Sequence, residues 1–544
     1  MNRFILPLCL LLISITVNNP ALSDDRPNII FLLTDDQRAD SLACMGNSIV
    51  ETPNIDQLAK DGVLFENAFV TSAICTPSRA CYFLGQYERR HGINFNSGTT
   101  MAKKAWQKSY PVLLKKAGYF TGYVGKNHVP IGTQGYKTGL IDNSFDFFYA
   151  GHGHLYFYPK IKHKIFDAAK SDTQIEIIAE GAASFLNPNS KFIDGAITFL
   201  KSRPKDQPFC LSYCFNLPHN AGTSTMKMRP TDPILYRTKY RDKLAEIPLP
   251  STYVAKDDIK TPKLPADVLY TQYRQPSYAY VDTPELLRER YVREYQTITG
   301  IDRLVGELRQ QLAEHGVADN TIIIYASDHG IMHGEFGLGG KSLNYDTCLK
   351  IPMIIMDPRQ NRTERGTRLT DLVLSVDIAP TILDFAGVKR PNTMQGSSLT
   401  DVLSGNNTGW REYAFAENLW STIFGVPRCE SARSKDWKYI RYFATDRKAF
   451  ENVEGDARYK VSPKHAAMYR NWLNSSLEGE KPDYEELFYI TDDPEESNNL
   501  ASDPNHQEKL KEMRTELQRL LTEAKGDVHA DPLTTPLVIL KKPL

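Results

Sequence analysis

Four strand-like stretches of this 544-residue chain, most of them apolar without the polar alternation of a half-exposed strand, each run into residues that carry charge or imidazole. Asn28-Ile-Ile-Phe-Leu-Leu33 leads to Asp35 and Asp36, and Tyr119 to Val124 leads to Lys126 and His128. Pro208 to Asn216 leads to Pro218 and His219, and Thr321 to Ala326 leads to Ser327, Asp328 and His329. Strands apolar throughout belong in a parallel sheet covered on both faces. Such sheets bind ligands beyond the carboxyl ends of their strands, so groups far apart in sequence can meet along one edge. The pattern predicts an α/β fold built on a large, mostly parallel sheet flanked by helices. Helix signals fit between the strands: Asn54 to Lys60 before Gly62, Pro111 to Ala117 before Gly118, Pro284 to about His315 before Gly316, and Ile378 to Ala386. Further strands are expected around Val63 to Phe69 and Ile351 to Met356.

Cys75-Thr76-Pro77-Ser78-Arg79, with Leu84-Gly85-Gln86 soon after, adds a reactive group to this frame. Pro suits the first turn of a helix, and residues four apart share a face, so Cys75 and Arg79 point the same way. A helix N-terminus brings unsatisfied N–H groups and the positive end of its dipole, which favours a tetrahedral oxyanion.

Together with Thr34-Asp35-Asp36-Gln37, this motif resembles the formylglycine-dependent (type I) sulfatases of the alkaline phosphatase-like superfamily. The resemblance implies that Cys75 is oxidised to formylglycine by a formylglycine-generating or anaerobic sulfatase-maturating enzyme, and that the hydrated aldehyde is the nucleophile. One hydroxyl of a gem-diol attacks sulfur, and the other, once deprotonated, expels sulfate by restoring the aldehyde. By the same resemblance Asp35, Asp36, Asp328, His329 and the Cys75 product bind one calcium ion, with manganese or another divalent cation as the alternative because imidazole is in the set. Arg79 would hold the diol, His128 take its second proton, Lys126 and Lys341 neutralise sulfate oxygens, and His219 protonate the leaving alcohol. Lys341, in Gly339-Gly-Lys-Ser, falls where the family has its second sulfate-binding Lys.

Lys plus Arg and Asp plus Glu both number 65, so no bulk charge holds nucleic acid or an anionic membrane. Residues 1 to 23 read as a signal peptide, with Arg3, an apolar Phe4 to Val17, and Ala21-Leu22-Ser23 as the cleavage site. That run is shorter than the roughly 20 residues needed to span a bilayer. The reading places the mature chain in the periplasm or outside the cell, or in a lysosome or the extracellular space if the source is eukaryotic. Seven cysteines remain (44, 75, 81, 210, 214, 348 and 429), which accommodates one modified Cys and up to three disulfides, with Cys210 and Cys214 on one strand too far apart to bond.

Thr223 to about Thr283 is rich in Pro, Tyr and Lys and reads as a surface insertion or lid near the site. Near Gly405 the β–α alternation ends, which divides a catalytic region at 24–405 from an α+β subdomain at 406–544. Glu417, Lys438-Tyr439-Ile440, Leu487 to Glu496 and Asn499-Leu500 resemble the family's C-terminal region. A sulfated sugar, from a glycosaminoglycan or marine-type polysaccharide, is the expected substrate. Asn94, His152, His154, His333 and Arg428 are the candidate sugar contacts. Two other functions use the same residues: phosphodiester or phosphonate monoester hydrolysis, and glycan binding by an inactive relative.

Overall fold

The structure is a computed structural model that describes residues 25–94, 99–133, 135–151, 195–219, 234–269, 276–360, 365–419, 426–443, 463–526 and 534–536. The expected signal peptide at 1–23 and the candidate sugar contacts His152 and His154 lie outside the described residues. The main sheet has eight strands, in chain order β1 (Asn28–Asp35), β2 (Val63–Phe65), β3 (Phe120–Lys126), β4 (Phe147–Gly151), β5 (Phe209–Pro218), β6 (Thr321–Ser327), β7 (Met353–Met356) and β8 (Thr367–Leu369). Their spatial order is β8-β2-β7-β6-β1-β5-β3-β4. Only β7 opposes its neighbours, and β6, β1, β5, β3 and β4 form a continuous parallel block.

Every residue of β1, β5 and β6 is buried, as expected of strands apolar on both faces. Ile29, Phe31 and Leu33 pack on one side with helix α2 (Cys75–Leu84) and the helix Ile378–Phe385. Ile30 and Leu32 pack on the other with helix α1 (Pro53–Asp61) and the long helix α3 (Pro284–Glu314). The strand expected over 63–69 is broken: Val63–Phe65 joins the main sheet, while Ala68–Phe69 pairs separately with Val373–Leu374.

A second, antiparallel sheet follows, formed by β9 (Ala414–Asn418), β10 (Arg428–Arg433), β11 (Trp437–Phe443) and β12 (Tyr484–Tyr489) in that order. Helix α4 (Gln507–Lys525) lays Leu510, Met513, Leu517 and Leu521 over Phe415, Ala432, Tyr439 and Leu487 of this sheet. The disulfides allowed by cysteine count are not formed: Cys44, Cys75, Cys81, Cys210, Cys214, Cys348 and Cys429 are all free. Cys75 and Cys81 share α2 and Cys210 and Cys214 share β5, and other partners stand nearby, Cys81 lying 3.4 Å from His91 and Cys429 3.6 Å from the Ser342 carbonyl.

The second sheet is tied to the short helix Glu88–His91 by a buried ion network. Arg89 gives Nε to Glu417 (2.9 Å), Nη2 to Glu430 (2.5 Å) and Nη1 to the Leu473 carbonyl (2.8 Å). Its loss would leave Glu417 buried without its cation. Arg89→Met should therefore destabilise the protein by about 3–5 kcal/mol, seen as an earlier melting transition in calorimetry.

Candidate active site

The four strands that deliver the charged residues, β6, β1, β5 and β3, are adjacent in the middle of the sheet, so their carboxyl ends present one continuous row. Two residues just beyond them, Asp36 (φ 60°) and His128 (φ 50°), hold left-handed backbone conformations. Such conformations are uncommon outside glycine, and they turn these side chains back over the sheet edge. Gly125 (φ +100°) performs a related task, because a Cβ there would sit 2.0 Å from the Cys214 carbonyl oxygen. Only glycine lets β3 come that close to β5 just before Lys126.

Helix α2 starts at Cys75 with Ile74 as its cap and no side-chain cap bond, so its first N–H groups are left for the site. The thiol lies 3.2 Å from Lys341 Nζ, 3.4 Å from His329 Nε2 and 3.6 Å from Asp35 Oδ1. Lys341 also donates to Asp36 Oδ1 (2.8 Å), and Lys126 donates to Asp35 Oδ2. Arg79 runs beneath the carboxylates, with Nη2 2.9 Å from Asp328 and 3.7 Å from Asp35, and Nη1 donating to the Lys126 carbonyl at 3.1 Å. His219 Nε2 stands 3.5 Å from Asp36 Oδ2. Three carboxylates thus face three permanent cations in a site with almost no solvent exposure.

These charges set one another. Burial alone would raise Asp35, but Lys126, His219 and Arg79 hold it well below the usual carboxylate range. Asp36 is likewise lowered to about 2 against its burial by His219, Lys341 and His329. Asp328 moves up through burial and the neighbouring Asp35. His329 reaches about 9 because Asp328 and Asp36 outweigh its burial. Burial drives His219 down to about 4, and burial with Lys126 and Arg79 drives His128 well below its ordinary range, so both imidazoles are neutral near pH 7.

A hard divalent cation suits this donor set. Ligand atoms of Asp35, Asp36, Cys75 and His219, and of Asp35, Cys75, Asp328 and His329, lie within 4.8 Å of one another in each group. Asp36 Oδ2 is buried and accepts no hydrogen bond, which leaves a carboxylate oxygen open toward the cluster.

Of the other sequence candidates, Asn94 donates to Glu88, which also takes hydrogen bonds from Ser72 (2.7 Å) and Tyr469 (3.0 Å). His333 and Arg428 are engaged elsewhere. His333 is fully buried 3.2 Å from Glu294, and Arg428 binds Glu480 while stacking on Phe443 and Trp472. Two residues were not found from the sequence. Tyr278, buried in the Tyr-rich insertion, has its phenol pushed up chiefly by burial, with Lys341 opposing and Asp36 adding to the shift. Asn216, three residues before His219 at the end of β5, has both amide atoms buried without a partner. Its place between an apolar strand and a histidine was the only signal available.

Glu88 offers a pH test. Burial and the charge of Glu417 push its carboxyl from 4.5 up to about 8, so the fold prefers it protonated. That contribution is complete below the unfolded value near 4.5 and disappears as pH rises through about 8. Glu88→Gln should gain stability relative to the parent with increasing pH over that window, by up to about 1.4 kcal/mol per pH unit. Urea melts of both proteins at several pH values would measure it.

The family described as Sulfatase matches residues 27–388, and that described as N-sulphoglucosamine sulphohydrolase, C-terminal, matches residues 334–459. An N-acetylglucosamine-6-O-sulfatase of Bacteroides thetaiotaomicron is 28% identical over 90% of this chain and 94% of its own. A solved protein in complex with its substrate D-glucosamine-2-N,6-O-disulfate superposes with a TM-score of 0.62 at 24% identity, covering 92% of this chain and 99% of that one. The phosphonate monoester hydrolase of Silicibacter pomeroyi superposes with a TM-score of 0.67 at 20% identity, over 92% of this chain and 96% of its own.

Proposed function

This chain belongs to the sulfatase family, and we propose that it is an exported enzyme that removes a sulfate ester from a short sulfated saccharide, through a formylglycine made from Cys75. The observation that carries the reading is the shell around Cys75: an ammonium, an imidazole and a carboxylate within 3.6 Å of the thiol at an uncapped helix N-terminus. A simple buried thiol has no need of them. The hydrated aldehyde supplies an attacking oxygen and a second hydroxyl through which sulfate can be released. Calcium, held by Asp35, Asp36, Asp328, His329 and the modified Cys75, would supply further positive charge against the sulfate and the ionised diol.

The remaining roles follow from charge and reach. Lys341 and Lys126 flank the nucleophile position and neutralise sulfate oxygens. Arg79, bonded to Asp328 and the Lys126 carbonyl, holds the carboxylates and that lysine in register. His128, neutral in the site near pH 7, accepts the proton of the second hydroxyl. His219 is also neutral there, so it acquires the proton it donates to the leaving alcohol only when the anionic ester arrives and favours imidazolium.

The saccharide class is supported by the relative that is an N-acetylglucosamine-6-O-sulfatase and by the fold neighbour whose substrate is D-glucosamine-2-N,6-O-disulfate. Export rests on the leader-like residues 1–23, and among the described residues no helix is long and apolar enough to cross a membrane. The test is sulfate release from a panel of defined glycosaminoglycan and marine-polysaccharide oligosaccharides, beside 4-nitrophenyl sulfate and a 4-nitrophenyl phosphodiester. Release from at least one saccharide is expected. Turnover of the aryl esters with none of any saccharide would overturn the substrate class, and preference for the phosphodiester would overturn the reaction.

A further inference from the structure

His219 is presented by the last residues of β5, where the strand runs out of ladder partners: the final β1 pairing is Asp35 with Pro218, across a register shift. Its backbone is held instead from the opposite layer. Arg290, on the second turn of α3, directs Nη1 to the His219 carbonyl (3.4 Å) and Nη2 to the Pro218 carbonyl (3.5 Å). The same guanidinium lies 5.0 Å over the Tyr280 ring and is only 1% exposed.

Behind Arg290 stands a carboxylate that it meets by charge rather than by a hydrogen bond, since Arg290 Nε, Glu294 Oε2 and His333 Nε2 are buried with no hydrogen-bond partner among the described residues. Arg290 Nε is 3.3 Å from Glu294 Oε2, one helical turn on, and that oxygen is 3.2 Å from His333 Nε2. The His333 ring packs edge-on against Tyr291 at 4.9 Å, and its strand, Met332–His333, pairs with Gly339–Gly340 immediately before Lys341. Glu294 therefore places one buried carboxylate between the segment leading to Lys341 and the guanidinium that faces the end of β5. An arginine buried with one carboxylate and aimed at two carbonyls is more than a core filler needs, since a leucine would pack there without any charge to neutralise.

We infer that Arg290 is a positioning residue for the reaction: by holding the Pro218 and His219 carbonyls it keeps the His219 imidazole aligned on the departing alcohol oxygen, and Glu294 with His333 keeps Arg290 in place. This rests on the reading of His219 as the proton donor. No atom of Arg290 takes part in bond breaking. The S–O bond to the alcohol breaks, the alcohol oxygen takes the imidazolium proton, and Arg290 sets where that proton is held.

The test is a double-variant cycle on the matured enzyme, using the sulfated saccharide it turns over fastest. Arg290→Met is expected to lower kcat about 100-fold with KM changed only a few-fold, and His219→Ala about 1,000-fold. In the His219→Ala background, Arg290→Met should cost no further activity. Arg290→Lys keeps the charge opposite Glu294 but loses the fork, and should recover about tenfold over Arg290→Met; if the Met variant does not fold, the Lys variant carries the same comparison. Losses that multiply in the double variant, or a loss confined to KM, would overturn the positioning role while leaving His219 as donor. A His219→Ala enzyme with undiminished kcat would overturn the donor reading itself, and this inference with it.

Discussion

Cys75→Ser protein should lose turnover by a factor on the order of 10⁴ or more, yet become labelled once by its substrate. The side chain is nearly isosteric and fully buried at the start of α2, so the fold has no reason to change. A serine oxygen can still attack sulfur and release the alcohol, because Lys126, Lys341 and His219 remain. It has no second hydroxyl whose deprotonation could restore a carbonyl and expel sulfate, so the reaction stops at a sulfated serine. Intact-mass spectrometry after incubation with substrate should show the gain of one SO₃ group on the peptide containing residue 75. Cys75→Ala should give neither turnover nor label. Wild-type protein made without a maturation enzyme should retain a thiol at position 75 and be largely inactive. Full activity with an unmodified Cys75 would sink the formylglycine reading.

The site was legible in the sequence to the extent that its residues follow buried parallel strands. Asp35, Asp36, Lys126, His128, His219, Asp328 and His329 each sit directly after such a strand, and β6, β1, β5 and β3 prove to be neighbours. His333, offered as a sugar contact, lies instead on the short strand Met332–His333 with Nε2 3.2 Å from Glu294 Oε2. Position along the chain says that a side chain is near the sheet edge, not which way the backbone faces. Tyr278 and Arg290 gave no such signal, since one lies in an irregular insertion and the other is one of several charges on a long helix. Strand β10 was missed for a different reason. Arg428-Cys-Glu-Ser-Ala-Arg433 reads as a polar loop, but all six residues are buried, and the charges are paired: Glu430 with Arg89 and Arg441, and Arg433 with Asp346. Burial by ion pairing leaves no hydrophobic period to read.

Removal of divalent metal should abolish turnover and leave the protein folded. Three clustered carboxylates would ordinarily repel one another once their cation is gone. Here Asp35 bonds Lys126, Asp36 bonds Lys341 and Asp328 bonds Arg79, so the chelated site retains internal neutralisation. The loss of stability should be limited to what binding supplied by mass action, about 3 kcal/mol at a hundredfold excess of metal over its dissociation constant. Asp35→Asn should behave differently. It strands the buried Lys126 ammonium without its partner, which costs about 3–5 kcal/mol as well as activity, and added metal should not restore it. The comparison is made by recording activity and melting temperature for the parent and Asp35→Asn proteins, before and after exhaustive chelation and after calcium or manganese is returned. Restoration of the parent by calcium in preference to manganese is the expected result, because the oxygen donors of Asp35, Asp36 and Asp328 outnumber the single imidazole of His329. Unchanged rates in fully chelated enzyme would remove the metal from the reaction and leave the charge opposing the sulfate to the protein's own cations, Lys126, Lys341 and Arg79 among them.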